Sequence, residues 1–118
     1  MGDDAFSREA QGALLRALAR TADARRVHGR YSEAERLYQR ALSVAQDVFG
    51  ERHQEVATIL NNLGLVMEAE GRNSEAEPLY YRAWRLREEL LGRDHPDTAA
   101  ASTNLAVLRK RLAAQNCI

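Results

Sequence analysis

The stretch Gly29-Arg30-Tyr31-Ser32-Glu33-Ala34-Glu35-Arg36-Leu37-Tyr38-Gln39-Arg40-Ala41 returns 42 residues later as Gly71-Arg72-Asn73-Ser74-Glu75-Ala76-Glu77-Pro78-Leu79-Tyr80-Tyr81-Arg82-Ala83. Residues 29–50 and 71–92 share 11 identities in 22 positions, ending on Gly50 and Gly92. A second echo begins at His53 and is answered at His95, carrying Ala57 to Ala99, Asn62 to Asn104 and Leu63 to Leu105. A repeat of this length is one supersecondary unit that buries its apolar face only by stacking on its neighbours. The fold is therefore constrained to a solenoid, and a solenoid is first of all a binding surface.

The repeat unit is helical. Val56, Ile59, Leu60, Leu63, Gly64 and Met67 fall at i, i+3, i+4, i+7, i+8 and i+11, the stripe of an amphipathic helix. Ala76, Leu79, Tyr80, Ala83, Trp84 and Leu90 share one face of the next segment, as Ala34, Leu37, Tyr38, Ala41, Ala45 and Val48 do in its earlier copy. Ser32 with Glu35 and Ser74 with Glu77 have the spacing of a capping box. With Ser74 as cap, Pro78 lies at the edge of the first turn; a start one residue earlier would place it inside the helix. Gly29 and Gly71 punctuate the links, Gly50 and Gly92 end helices, and His95-Pro96-Asp97 opens another. The spacing predicts five helices, at about 5–28, 32–49, 54–70, 74–91 and 96–114. They form one all-α domain over 1–118, an α-solenoid of about two and a half units: repeat one at 5–50, repeat two at 54–92 and a closing helix at 96–114. In the closing helix Ser102 replaces Leu60 and Arg109 replaces Met67, and Arg109-Lys110-Arg111 supplies the polar face expected of a terminal unit.

Composition narrows the functions. The 118 residues carry 17 basic and 17 acidic side chains, whereas a nucleic-acid binder needs a basic excess, so nucleic acid is a poor partner. No apolar run reaches the length of a membrane span, and the acidic start Met1-Gly2-Asp3-Asp4 is unlike a secretory signal, so a cytoplasmic home is the expectation. The single Cys117 fits a reducing compartment and equally fits an uninformative tail. No His-Glu-x-x-His, Cys-x-x-Cys, Gly-rich phosphate loop or Gly-x-Ser-x-Gly occurs, so neither an enzyme nor a cofactor is expected. His53 and His95 recur with the repeat and read as structural caps, while His28 sits at a helix end where an imidazolium complements the dipole.

The pattern Leu63-Gly64, Gly71, Ala76, Tyr80 and Ala83 resembles the tetratricopeptide repeat (TPR), in which small residues let two antiparallel helices approach and larger ones fill between them. The 42-residue period and the phrases Leu60-Asn61-Asn62-Leu63-Gly64 and Leu91-Gly92-Arg93-Asp94-His95-Pro96 are similar to the kinesin light chain subtype. The likeness runs from about residue 13 to 112 and is weakest in the first helix, where Thr21, Ala22 and Arg25 stand for Leu63, Gly64 and Met67. It implies a right-handed superhelix whose first helices line a concave groove for a peptide or partner segment, and it implies no chemistry.

Off the apolar stripe of the third helix lie Thr58, Asn61, Asn62 and Leu65. Their counterparts are Arg16, Ala19, Arg20 and Asp23 before, and Ala100, Thr103, Asn104 and Val107 after. The resemblance implies that Asn62 and Asn104 hydrogen-bond a ligand backbone with their amides; the plainer alternative is that they cap or tie neighbouring helices. The resemblance also implies that the clamp with which some family members grip a C-terminal carboxylate is absent, since Ala19, Asp23, Ala100 and Asn104 occupy its sites. Arg16, Arg20, Lys110 and Arg111 would favour acidic segments, or would form a solvated charged face. A homodimer is the competing expectation, because Phe6, Leu14, Leu15 and Leu18 give the first helix more apolar surface than one neighbour covers. Tyr38, Tyr80 and Trp84 read as core, with Tyr81 the exposed one.

Overall fold

The computed structural model describes residues 2–116, with side chains from Phe6 onward. Five helices follow one another: α1 (Gly2–Val27), α2 (Tyr31–Phe49), α3 (Gln54–Ala69), α4 (Asn73–Leu91) and α5 (Pro96–Asn116). Each packs on the helix before and after it in sequence, and α1 also touches α3. Side-chain bonds join α1 to α3 and α3 to α5, while Arg72 at the head of α4 reaches Glu35 of α2. The first helices of the units thus form one layer and the second helices another, an all-α helical repeat solenoid. Cys117 lies outside the described residues.

The glycine-marked links are tight for a physical reason. At the end of α3 the Gly71 amide donates to the Glu68 carbonyl and the Arg72 amide to Met67, with Gly71 at φ +77°, a Schellman closure that only glycine enters without strain. Gly29 and Arg30 repeat the arrangement at the end of α1.

That closure overturns the expected capping boxes. Arg30 and Arg72 each close one helix and immediately start the next, and neither start has a side-chain cap. Ser32 and Ser74 therefore fall inside the first turn, too late to cap it, and Glu35 and Glu77 bond arginines instead. Pro78 accordingly lies within α4, on an exposed side.

The core is the expected stripe. Tyr38, Tyr80, Ile59, Leu60, Val56, Val66 and Leu108 are fully buried, and Ala34, Ala41, Ala76 and Ala83 let the helices approach. Leu90 departs from its expected face and is exposed, as are Phe6 and, partly, Leu14 on α1, whereas Leu15 and Leu18 are buried. Ser102 and Arg109 are exposed on α5, where their counterparts Leu60 and Met67 are core.

Helices α3 and α4 approach closely at Gly64, where an added Cβ would stand 2.5 Å from Tyr80 Cε1. The ring is enclosed and cannot swing away, so Gly64→Ala is expected to destabilise by about 1–2 kcal/mol, the overpacking cost exceeding the gain in helix propensity. Urea unfolding followed by circular dichroism measures it; an unchanged or raised midpoint would contradict the close approach.

Candidate functional site: the face of the first helices

A polar row crosses α1, α3 and α5. Asn62 Nδ2 donates to Asp23 Oδ1 at 3.4 Å, and Asn104 Nδ2 donates to Asn61 Oδ1 at 3.3 Å. Asp23 also accepts from the Tyr38 hydroxyl and lies near Arg26, whose Nε donates to the same hydroxyl at 3.1 Å. The two asparagines tie neighbouring helices, as the plainer alternative had it. Each amide still has groups left over, because an asparagine offers two donors and two acceptor positions.

Further along α3 and α5 the row opens into a cleft of about 430 Å³ lined by Leu65, Glu68, Ala69, Tyr80, Asn104, Val107 and Arg111. Its lining mixes the aliphatic Leu65, Ala69 and Val107 with the polar Glu68, Asn104 and Arg111. Glu68 is held from two sides, accepting from the Tyr80 hydroxyl at 2.7 Å and from Arg111 Nη1. Burial, with the carboxylate partner second, pushes the Tyr80 phenol up from its ordinary value; the same two causes push Tyr38 up to about 12. Both phenols therefore stay protonated donors, fixing the carboxylates that edge the face.

Of the expected groove residues, Leu65, Asn104 and Val107 meet in this cleft, and Asp23, Asn61 and Asn62 in the adjoining row. Arg16 and Arg20 are exposed on α1 with no ion pair among the described residues. Thr58 accepts from Arg87 Nη2 at 3.4 Å. Thr103 lines a different cleft, with Trp84 and Ser102 between α4 and α5, and its hydroxyl is bonded to the Ala99 carbonyl. Clefts of similar volume on the α1–α2 and α4–α5 surfaces gather none of the other expected groove residues.

Glu68 and Ala69 were not foreseen. At the 42-residue offset Glu68 corresponds to Arg26 and Lys110, so the repeat hid it. The available signal was chemical, since the buried Tyr80 hydroxyl needed an acceptor.

Behind this face the stack is tied by charge. Arg72 bonds Glu35 at 2.8 Å, Glu70 at 3.0 Å and Glu75 at 2.6 Å, and it lowers the Glu75 carboxyl below its usual range. Because the cluster is solvent-accessible, Arg72→Ala is expected to lower the melting temperature modestly, with the loss shrinking as salt is raised. A loss unchanged in high salt would show that packing, not charge, is what Arg72 provides.

His53 and His95 are caps, as their repetition suggested: the Nδ1 of His53 accepts from the Glu55 amide at 3.0 Å and that of His95 from the Asp97 amide at 3.1 Å. His28 Nδ1 instead donates to the Ala24 carbonyl at 2.7 Å. Among the described residues no group of three His, Cys, Asp or Glu side chains could hold a metal, and no helix is long and apolar enough to cross a membrane.

Consecutive helix pairs stacked in two layers define a helical repeat protein. Models of the tetratricopeptide repeat match residues 15–89 and 55–115, and the chain belongs to that family. A search of curated proteins finds no match. Among solved structures, the crystal structure of BtubC (BKLC) from P. vanneervenii is similar, with 27% sequence identity and a TM-score of 0.79 over 86% of this chain. The match takes in 40% of that protein, so this chain spans less than half its length. TPR repeats generally mediate protein–protein interactions.

Proposed function

We propose that the chain is a non-catalytic scaffold that holds a peptide or extended partner segment, acidic in character, on the face formed by α1, α3 and α5. The observation that carries the reading is the cleft between α3 and α5, where Leu65, Asn104 and Val107 combine apolar wall with unspent amide groups. Arg16 and Arg20 lie on the same layer and add positive charge that steers acidic segments toward it. The balanced net charge argues against a nucleic-acid partner, and a cytoplasmic setting suits the role. The test uses the chain and its Arg16→Glu/Arg20→Glu variant as baits in cell extract, both being exposed positions whose reversal leaves the core intact. A defined set of proteins retained by the chain and released by the variant is the expected result. The same set on both baits would contradict the role given to the arginines.

Self-association is the second reading, favoured by Phe6, 74% exposed on α1. A dimer by light scattering that Phe6→Ser converts to monomer would support it; a monomer at micromolar concentration would remove it.

A further inference from the structure

We infer that the cleft between α3 and α5 reads a two-residue pattern in an extended partner segment: an aliphatic side chain seated among Leu65, Ala69 and Val107, and a carboxylate two positions away on Arg111. The inference rests on the reading of the first-helix face as the binding surface and adds the partner's chemistry and spacing to it.

The cleft offers methyl and methylene walls from Leu65, Ala69 and Val107, and Val107 is 43% exposed with nothing over it among the described residues. The ring at this site, Tyr80, is buried to 1%, so an incoming aromatic side chain finds no face to stack on. An aliphatic group fits the lining better, and a volume of about 430 Å³ takes one such side chain together with its main chain.

Charge decides the second position. Glu68 has both oxygens engaged, Oε1 by Tyr80 and Oε2 by Arg111, and its side chain is only 19% exposed, so it presents little to a cation. Arg111 is the opposite case, 57% exposed and using only Nη1. A guanidinium has five N–H donors in a planar fork, so Nη2 and Nε remain for a second carboxylate without breaking the bond to Glu68.

Spacing follows from the helix. Val107 and Arg111 are four residues apart on α5, a rise of about 6 Å. Two residues of extended chain span about 6.6 Å, and side chains two apart point to the same side. An aliphatic residue and an acidic residue at i and i+2, or the reverse, therefore address the two positions together. Asn104 lies one turn from Val107 on the other side, and its amide Oδ1 and second N–H are unbonded, suited to the segment's backbone.

The experiment pans a random 12-residue peptide library displayed on phage against the full chain, then measures enriched synthetic peptides by fluorescence anisotropy. The chain is compared with Val107→Ser, Arg111→Gln and Arg16→Glu/Arg20→Glu, each verified as folded by circular dichroism. Enriched peptides are expected to carry Leu, Ile, Val or Met two positions from Asp or Glu. Val107→Ser and Arg111→Gln should each weaken them more than tenfold. Replacing the peptide's acid with its amide should cost nothing further in Arg111→Gln, which a merely structural role for Arg111 would not produce. Peptides that respond to Arg16→Glu/Arg20→Glu but not to Val107→Ser or Arg111→Gln would overturn this inference and leave the binding face standing. No enriched peptide, or peptides indifferent to all three variants, would overturn both.

Discussion

Replacing Tyr80 by alanine is expected to cost about 3–5 kcal/mol, a large share of the roughly 5–15 kcal/mol that holds a domain of this size together. The ring is enclosed between α3 and α4 against Gly64, and truncation leaves a cavity that two helices already in close contact collapse into only partly. The hydroxyl contributes separately, because Glu68 then keeps Arg111 alone. Urea unfolding of Tyr80→Ala, Tyr80→Phe and Tyr81→Ala separates these parts. The alanine variant should unfold at a much lower midpoint, the phenylalanine variant should lose about 1 kcal/mol, and Tyr81→Ala, at an exposed position, should lose less than that. Equal losses at Tyr80 and Tyr81 would contradict the packing described.

Raising the pH from 10 to 12 is expected to unfold the chain more steeply than heating a few degrees at neutral pH. Tyr38 is held protonated up to about 12 by burial and by its bond to Asp23, whereas the unfolded phenol ionises near 10. A folded value above the unfolded one means stability that is complete below pH 10 and is lost progressively as pH climbs through 12. Tyr80 acts in the same direction through burial and Glu68. The urea midpoint should be flat from pH 8 to 10 and then fall, and the Tyr38→Phe/Tyr80→Phe variant should lose most of that fall. A wild-type midpoint that stays level to pH 12 would show that the phenols are not enclosed as described.

The repeat made the fold legible because helix period, glycine links and small residues at Ala34, Ala41, Ala76 and Ala83 all point to one stacking arrangement. Helix positions came within three residues, and the two histidine caps followed from their recurrence alone. The capping boxes misled because Ser-x-x-Glu is a local pattern, and the Schellman closures at Gly29 and Gly71 start the next helix before the serine arrives. The face was legible only in part. Leu65, Asn104 and Val107 followed from helix geometry, but Thr103 turned toward α4 and Glu68 came into view only as the acceptor for Tyr80. Those outcomes depend on how one helix is rotated against the next, which periodicity within a single helix does not specify.

In the proposed function the layer of α1, α3 and α5 is the surface that meets a partner. Methyl-resolved NMR of the chain, recorded as a library-selected peptide or a captured partner is titrated in, tests it most directly. Shifts concentrated on Leu65 and Val107, with Leu37, Leu42 and Val44 on α2 unmoved, are the expected result. Shifts confined to the α2 and α4 methyls, with Leu65 and Val107 silent, would contradict it.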